Sequence, residues 1–143
     1  MILRCLKSVL ECYAAEKAAY NLKGKTEPLR KRYLAMLAAA RTGNAEAYAQ
    51  NDIPFHRLIV EAAENAFLLR AWESLGFEIR TRIFLASKEL DMLQIAKLHE
   101  PIIDAFEKGD AKLAAKLLRE HSLAFAAEVE VRAAIFGYSD EGE

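Results

Sequence analysis

The sequence predicts an all-α protein, an antiparallel bundle of six helices, and three observations carry that reading. Apolar residues recur at helical spacing along almost the whole chain, and alternating strand patterns are absent. Only 6 glycines and 3 prolines interrupt 143 residues, and they fall mostly where one periodic run gives way to the next. Hydrophobic residues make up 53% and charged residues 29%, which supplies one core and excludes disorder and collagen-like repeats. A chain of this length is one domain's worth of protein.

The first helix carries Ile2, Leu6, Val9, Tyr13 and Lys17 on one stripe, with Leu3, Leu10 and Ala14 beside it. It should stop near Leu22, at Lys23-Gly24. Thr26 is placed to cap a second helix, with Pro28 in the first turn, where a missing N–H costs little. That helix carries Leu29, Tyr33, Met36, Leu37 and Ala40 and should stop at Gly43. Asn44 caps a third segment, in which Pro54 should force a kink near Gln50 or a restart around Asp52. After Asn65 a fourth long helix is expected over 66–87, with a stripe of Leu68, Trp72, Leu75, Ile79 and Ile83. A fifth should run from Leu90 to Lys108 with a kink at Pro101, and Gly109-Asp110 should stop it and cap the next. The last helix, from Ala111 to about Phe136, carries Leu113, Leu117, Leu118, Phe125 and Val129, followed by a short acidic tail over 138–143.

Charge excludes some functions. Lysine and arginine total 20 against 21 acidic residues, a net charge of −1, so the chain as a whole is not built to attract a phosphate backbone or an anionic membrane. Two cysteines, Cys5 and Cys12, are too few for a disulfide scaffold and read as small apolar contacts in a reduced, cytoplasmic setting. The apolar N-terminus is interrupted by Arg4, Lys7, Glu11, Glu16 and Lys17, which argues against a signal peptide, and no run is long enough to span a membrane.

The chain holds 3 histidines, His56, His99 and His121, each on a different predicted helix and each within apolar-periodic sequence. Asp52 stands four residues before His56, so an unbroken helix would present both from one face. One carboxylate with three imidazoles suits Zn, Ni, Fe or Mn. The plainer alternatives are that Asp52 caps a restarted helix and that the histidines are hydrogen-bonded core residues. Trp72, Phe77 and Phe84 read as core or pocket wall, and Arg30-Lys31-Arg32 as a solvated face.

The run NDIPFHRLIVEAAENAFLLRAWESL resembles the D-x-x-F-H segment of bacterial GntR-type transcription regulators. KLHEPIIDAFEKGDAKLAAKLLREHSLAF is similar to the two later histidine segments of the same family. The resemblance is to the FCD domain, the ligand-sensing half of the FadR-like subfamily, and extends from about Leu3 to Val129 within an expected domain of 1–137. It implies an all-α antiparallel bundle of six to seven helices around one divalent transition metal held by Asp52, His56, His99 and His121. It also implies a small organic acid bound on or beside that metal, a homodimer, and regulation rather than catalysis. Arg80, on the helix after Asn65, is the first choice for a fork to the effector's carboxylate, and Arg82 is the second.

The family's regulators begin with a winged helix-turn-helix domain, and nothing in these residues corresponds to one, so this polypeptide alone is not expected to bind operator DNA. Two other functions compete with the sensor. A di-iron bundle enzyme needs Glu-x-x-His pairs, but Ile53, Ala96 and Leu118 stand at the required positions. A mononuclear metalloenzyme lacks an evident general base beyond Glu100 and Glu120. A metal-free helical interaction module would leave the histidines merely structural.

Overall fold

Thr26, Asn44, Asn65, Asp91 and Asp110 each stand just before a helix, and the punctuation they provide sets the element order. The computed structural model describes residues 2–86 and 90–136, with side chains described only between 5 and 124. The described elements are α1 (Ile2–Leu22), α2 (Glu27–Arg41), α3 (Ala45–Ala62), α4 (Ala66–Ser74), α5 (Phe77–Leu85), α6 (Met92–Lys97), α7 (Glu100–Lys108) and α8 (Ala111–Phe136). The architecture is an all-α bundle, with no strand among the described residues. The acidic tail and the side chains of Phe125 and Val129 lie outside the described residues.

Several caps act through their side chains. Asn44 accepts from the Ala47 N–H at 3.0 Å, and Asn65 accepts from Phe67 and Leu68 at 3.1 Å each. Asp91 and Asp110 do the same for Gln94 and Leu113. Thr26 precedes α2 as expected, but its hydroxyl makes no cap bond and instead donates to the Glu107 carboxylate on α7.

The sequence expectation differs from the structure at three places. The single helix expected over 66–87 is two, because Gly76 adopts φ +64 and turns the chain between α4 and α5. The single helix expected over 90–108 is also two, because α6 ends at Lys97 and Pro101 falls in the first turn of α7. There the proline's missing N–H has no intrahelical partner to lose. By contrast, α3 continues through Pro54, so neither the restart nor the capping role for Asp52 occurs.

Two apolar stripes also face outward. Leu6, Val9 and Tyr13 on α1 are 42%, 62% and 70% exposed, and Ile79 and Ile83 on α5 are 68% and 70% exposed. The buried face of α1 is instead Ala14, Ala15, Ala18 and Ala19, continued toward the N-terminus by Glu11 and Ser8. Small side chains let α1 lie close to α8, α3 and α7, its principal neighbours. On the far side, Leu29, Tyr33, Met36, Tyr48, Phe55, Ile59, Ile102, Ile103, Phe106 and Leu118 form the main apolar core. A smaller cluster of Ala14, Val60, Ala63, Leu68 and Trp72 sits beneath α4.

Candidate metal centre

Asp52 and His56 share one face of α3 because they are four residues apart in an unbroken helix. His99 occupies the junction of α6 and α7, and His121 lies on α8. All four are buried, and one donor atom from each lies within 4.8 Å of the others. The Asp52 Oδ1 is 3.0 Å from His99 Nε2 and 3.7 Å from His56 Nε2. The His99 and His121 rings are 4.3 Å apart at their centroids, and His56 stacks on His121 at 5.2 Å.

Three imidazoles and a carboxylate in mutual contact are costly to bury unless something draws on their lone pairs. Burial and the neighbouring His99 and His56 hold the His121 imidazole well below the usual histidine range, so it stays neutral. Its Nδ1 is buried without a hydrogen-bond partner. Burial opposes ionisation of Asp52, but hydrogen bonds from His56 and His99 outweigh it and hold the carboxyl well below its usual value. A neutral His121 and an ionised Asp52 are the states in which these two groups bind a transition metal. Donors bonded at about 2.0–2.2 Å lie at most about 4.4 Å apart across an ion, so the four need close only slightly. The residues fit a divalent transition metal.

A cavity opens beside this group. It is lined by Asp52, His56 and His121 together with Lys7, Phe77, Arg80, Thr81 and Ser122. Arg80 is therefore on its wall. Arg82 is not among the lining residues, and its guanidinium pairs with Glu78 at 2.6 Å and Glu46 at 3.2 Å on the surface. Ser122 Oγ is buried without a partner.

Sequence reasoning passed over Lys7, Glu11, Thr81 and Ser122. Glu11 is wholly buried, with Lys7 Nζ at 2.8 Å, Trp72 Nε1 at 3.0 Å and His56 Nδ1 at 3.1 Å. Burial works against its charge, but the His56 and Lys7 charges prevail and keep the carboxyl far below the normal glutamate range. His56 is raised in turn, burial being outweighed chiefly by Glu11. The one signal available was Glu11 itself, a charged residue on the alanine face of α1 at helical spacing from Ala14, Ala15 and Ala18.

The FCD-domain profile matches residues 3–124. The chain belongs to the FCD family. A curated relative from Paenarthrobacter nicotinovorans, a probable D-xylose utilization operon transcriptional repressor, is 40% identical over 120 residues. The match takes in 84% of this chain and 53% of that repressor, so the chain spans about half the length of the relative. The solved structure of E. coli McbR/YncC superposes with a TM-score of 0.79 over 91% of this chain and 63% of its own, at 17% identity, and shows the same fold. As an FCD domain of the GntR-type regulators, the chain is a ligand-sensing regulatory domain, and the family is not one of enzymes. No helix among the described residues is long and apolar enough to cross a membrane.

Proposed function

We propose that this FCD domain senses a small organic acid through a bound divalent transition metal, for which Zn, Ni, Mn and Fe are the candidates. The observation that carries the reading is a shared wall. The cavity that reaches Asp52, His56 and His121 is also lined by the cations Lys7 and Arg80 and the hydroxyls of Thr81 and Ser122. A divalent ion with one carboxylate and three neutral imidazoles keeps a residual charge of about +1, which attracts an anion. Such an ion supplies Lewis acidity toward a carboxylate oxygen. Arg80 then holds the acid's second oxygen or its far end, and the Ser122 hydroxyl completes the hydrogen bonding it lacks in the free cavity.

The domain acts as a homodimer in the cytoplasm in this reading. Leu6, Val9, Tyr13 and Tyr20 leave an apolar face of α1 exposed for a partner copy. Effector binding shifts helices around the cavity and so changes how attached DNA-binding domains are held.

A neutral pentose is the second reading, favoured by the D-xylose utilization operon that the curated relative is described as repressing. The two cations on the cavity wall favour the anion. Elemental analysis of the untagged protein, followed by thermal shift with small hydroxy and dicarboxylic acids and with D-xylose, tests both. About one metal per chain and stabilisation by acids alone is the expected result. Stabilisation by xylose alone, or no metal after incubation with each ion, overturns it.

A further inference from the structure

We propose that Glu11 is a positioning residue of the metal site, holding the His56 ring in the tautomer that turns Nε2 toward Asp52, His99 and His121. The inference rests on the metal reading above and assigns a role on α1, a helix that contributes none of the four donors.

Glu11 lies in the interior of α1, so capping does not explain a carboxylate that is 0% exposed. Its two oxygens are divided between partners. Oε1 accepts from Trp72 Nε1 at 3.0 Å and faces Lys7 Nζ at 2.8 Å, while Oε2 is 3.1 Å from His56 Nδ1. An ionised carboxylate only accepts, so His56 Nδ1 must carry the hydrogen. Lys7 Nζ, a donor, would favour the opposite tautomer, but it stands farther from Nδ1 at 3.5 Å and is engaged at 2.8 Å by Glu11 Oε1. With Nδ1–H fixed, the lone pair of a neutral His56 ring is on Nε2, the nitrogen that lies 3.7 Å from Asp52.

The same logic operates at His99 with different chemistry. Its Nδ1 reaches the Ile95 and Ala96 carbonyls at 3.2 and 3.0 Å, leaving Nε2 for the cluster. His99 is thus oriented by its own chain, whereas His56 is oriented from another helix. Acceptors behind ligating imidazoles fix the ring and raise its basicity, and losing one typically costs 10–100-fold in metal affinity. Through Glu11, loading of the metal site depends on α1 being docked.

Two measurements test this. Ring nitrogen shifts of His56 are read by NMR in the metal-free protein at an alkaline pH where the ring is neutral. They should show Nδ1–H in the native sequence and a mixed population in Glu11→Gln. Zinc affinity by chelator competition should fall roughly 10–100-fold in Glu11→Gln, with Trp72→Phe, which leaves the His56 contact in place, within about twofold of the native value. A native His56 ring protonated on Nε2 overturns the proposal without any variant being made. So does a folded Glu11→Gln protein with native zinc affinity. If the native protein takes no zinc, the metal reading fails, while the tautomer measurement still decides whether Glu11 orients His56.

Discussion

The bundle contains two interiors side by side, and they differ in what keeps them stable. Around Met36, Phe55, Ile59, Ile102, Ile103 and Phe106 the interior is apolar, and its stability comes from removing that surface from water. Between α1, α3, the α6–α7 junction and α8 the interior is Glu11, Asp52, His56, His99, His121 and Ser122. There burial opposes every charge, and the group persists because hydrogen bonds and ion pairs offset desolvation. His121 Nδ1 and Ser122 Oγ remain unpartnered even so. The apolar interior holds one such group too, the Tyr48 hydroxyl, whereas in the polar interior the unpartnered atoms sit among the four candidate donors and beside the cavity.

The largest expected effects separate the two interiors. Phe106→Ala, at a fully buried apolar position, should cost about 3–5 kcal/mol in urea unfolding, with and without metal alike. The folded fraction should retain its metal affinity. A loss of metal affinity larger than the loss of stability would show that the interiors are coupled.

His121→Ala should behave in the opposite way. With metal at 1,000 times its Kd, the native protein gains about 4 kcal/mol from binding, and this variant should lose that gain. Its metal-free stability should fall less than that of Phe106→Ala, because an unpartnered buried nitrogen leaves with the ring. Thermal unfolding with and without metal reads both quantities.

Glu11→Gln should cost about 1–3 kcal/mol near neutral pH, as a charged acceptor shared by three donors is replaced by one that accepts at a single atom. The pH dependence has a defined sign. Glu11 is depressed from 4.5 in the folded protein, so its contribution is complete above that value and is lost as pH falls toward the folded value. Glu11 is also the chief cause that raises His56 above 6.5, so the stability difference between native and variant should grow as pH falls toward that value and narrow again at acid pH, as Glu11 itself takes up a proton. A difference that does not narrow at acid pH would contradict the assignment.

Arg80→Ala should have the smallest effect on folding, since the side chain is exposed. Its effect should fall on the effector: loss of a charged hydrogen bond worth about 1.5–3 kcal/mol weakens acid binding roughly 10–100-fold. Arg82→Ala, whose partners are Glu46 and Glu78 outside the cavity, should leave acid affinity unchanged. Calorimetric titration of the metal-loaded domain compares the two.

The helices were largely legible because their signals are local. Asn44, Asn65 and Asp110 cap within three residues of themselves, so the sequence contains both donor and acceptor. The two prolines show where local reading ends. Pro54 and Pro101 stand beside histidines in similar apolar surroundings, yet α3 runs through the first and α7 begins at the second. Packing of α3 against α1, α2 and α5 along its length holds the helix together across one lost hydrogen bond. At Pro101 the chain turns instead and places His99 in the core.

Sequence by itself determined the all-α class, most helical segments and the caps at Asn44, Asn65 and Asp110, because periodicity and capping act over one or two turns of chain. Tertiary structure alone decided which faces are buried. It turned Leu6, Val9 and Tyr13 outward and the alanines inward. It also delivered Glu11 to His56, 45 residues away, and Lys7 to the cavity. Those meetings depend on how each helix is rotated about its axis against its neighbours. The rotation is set by close packing of small residues between helices, a property of the assembled bundle that no single stretch of sequence contains.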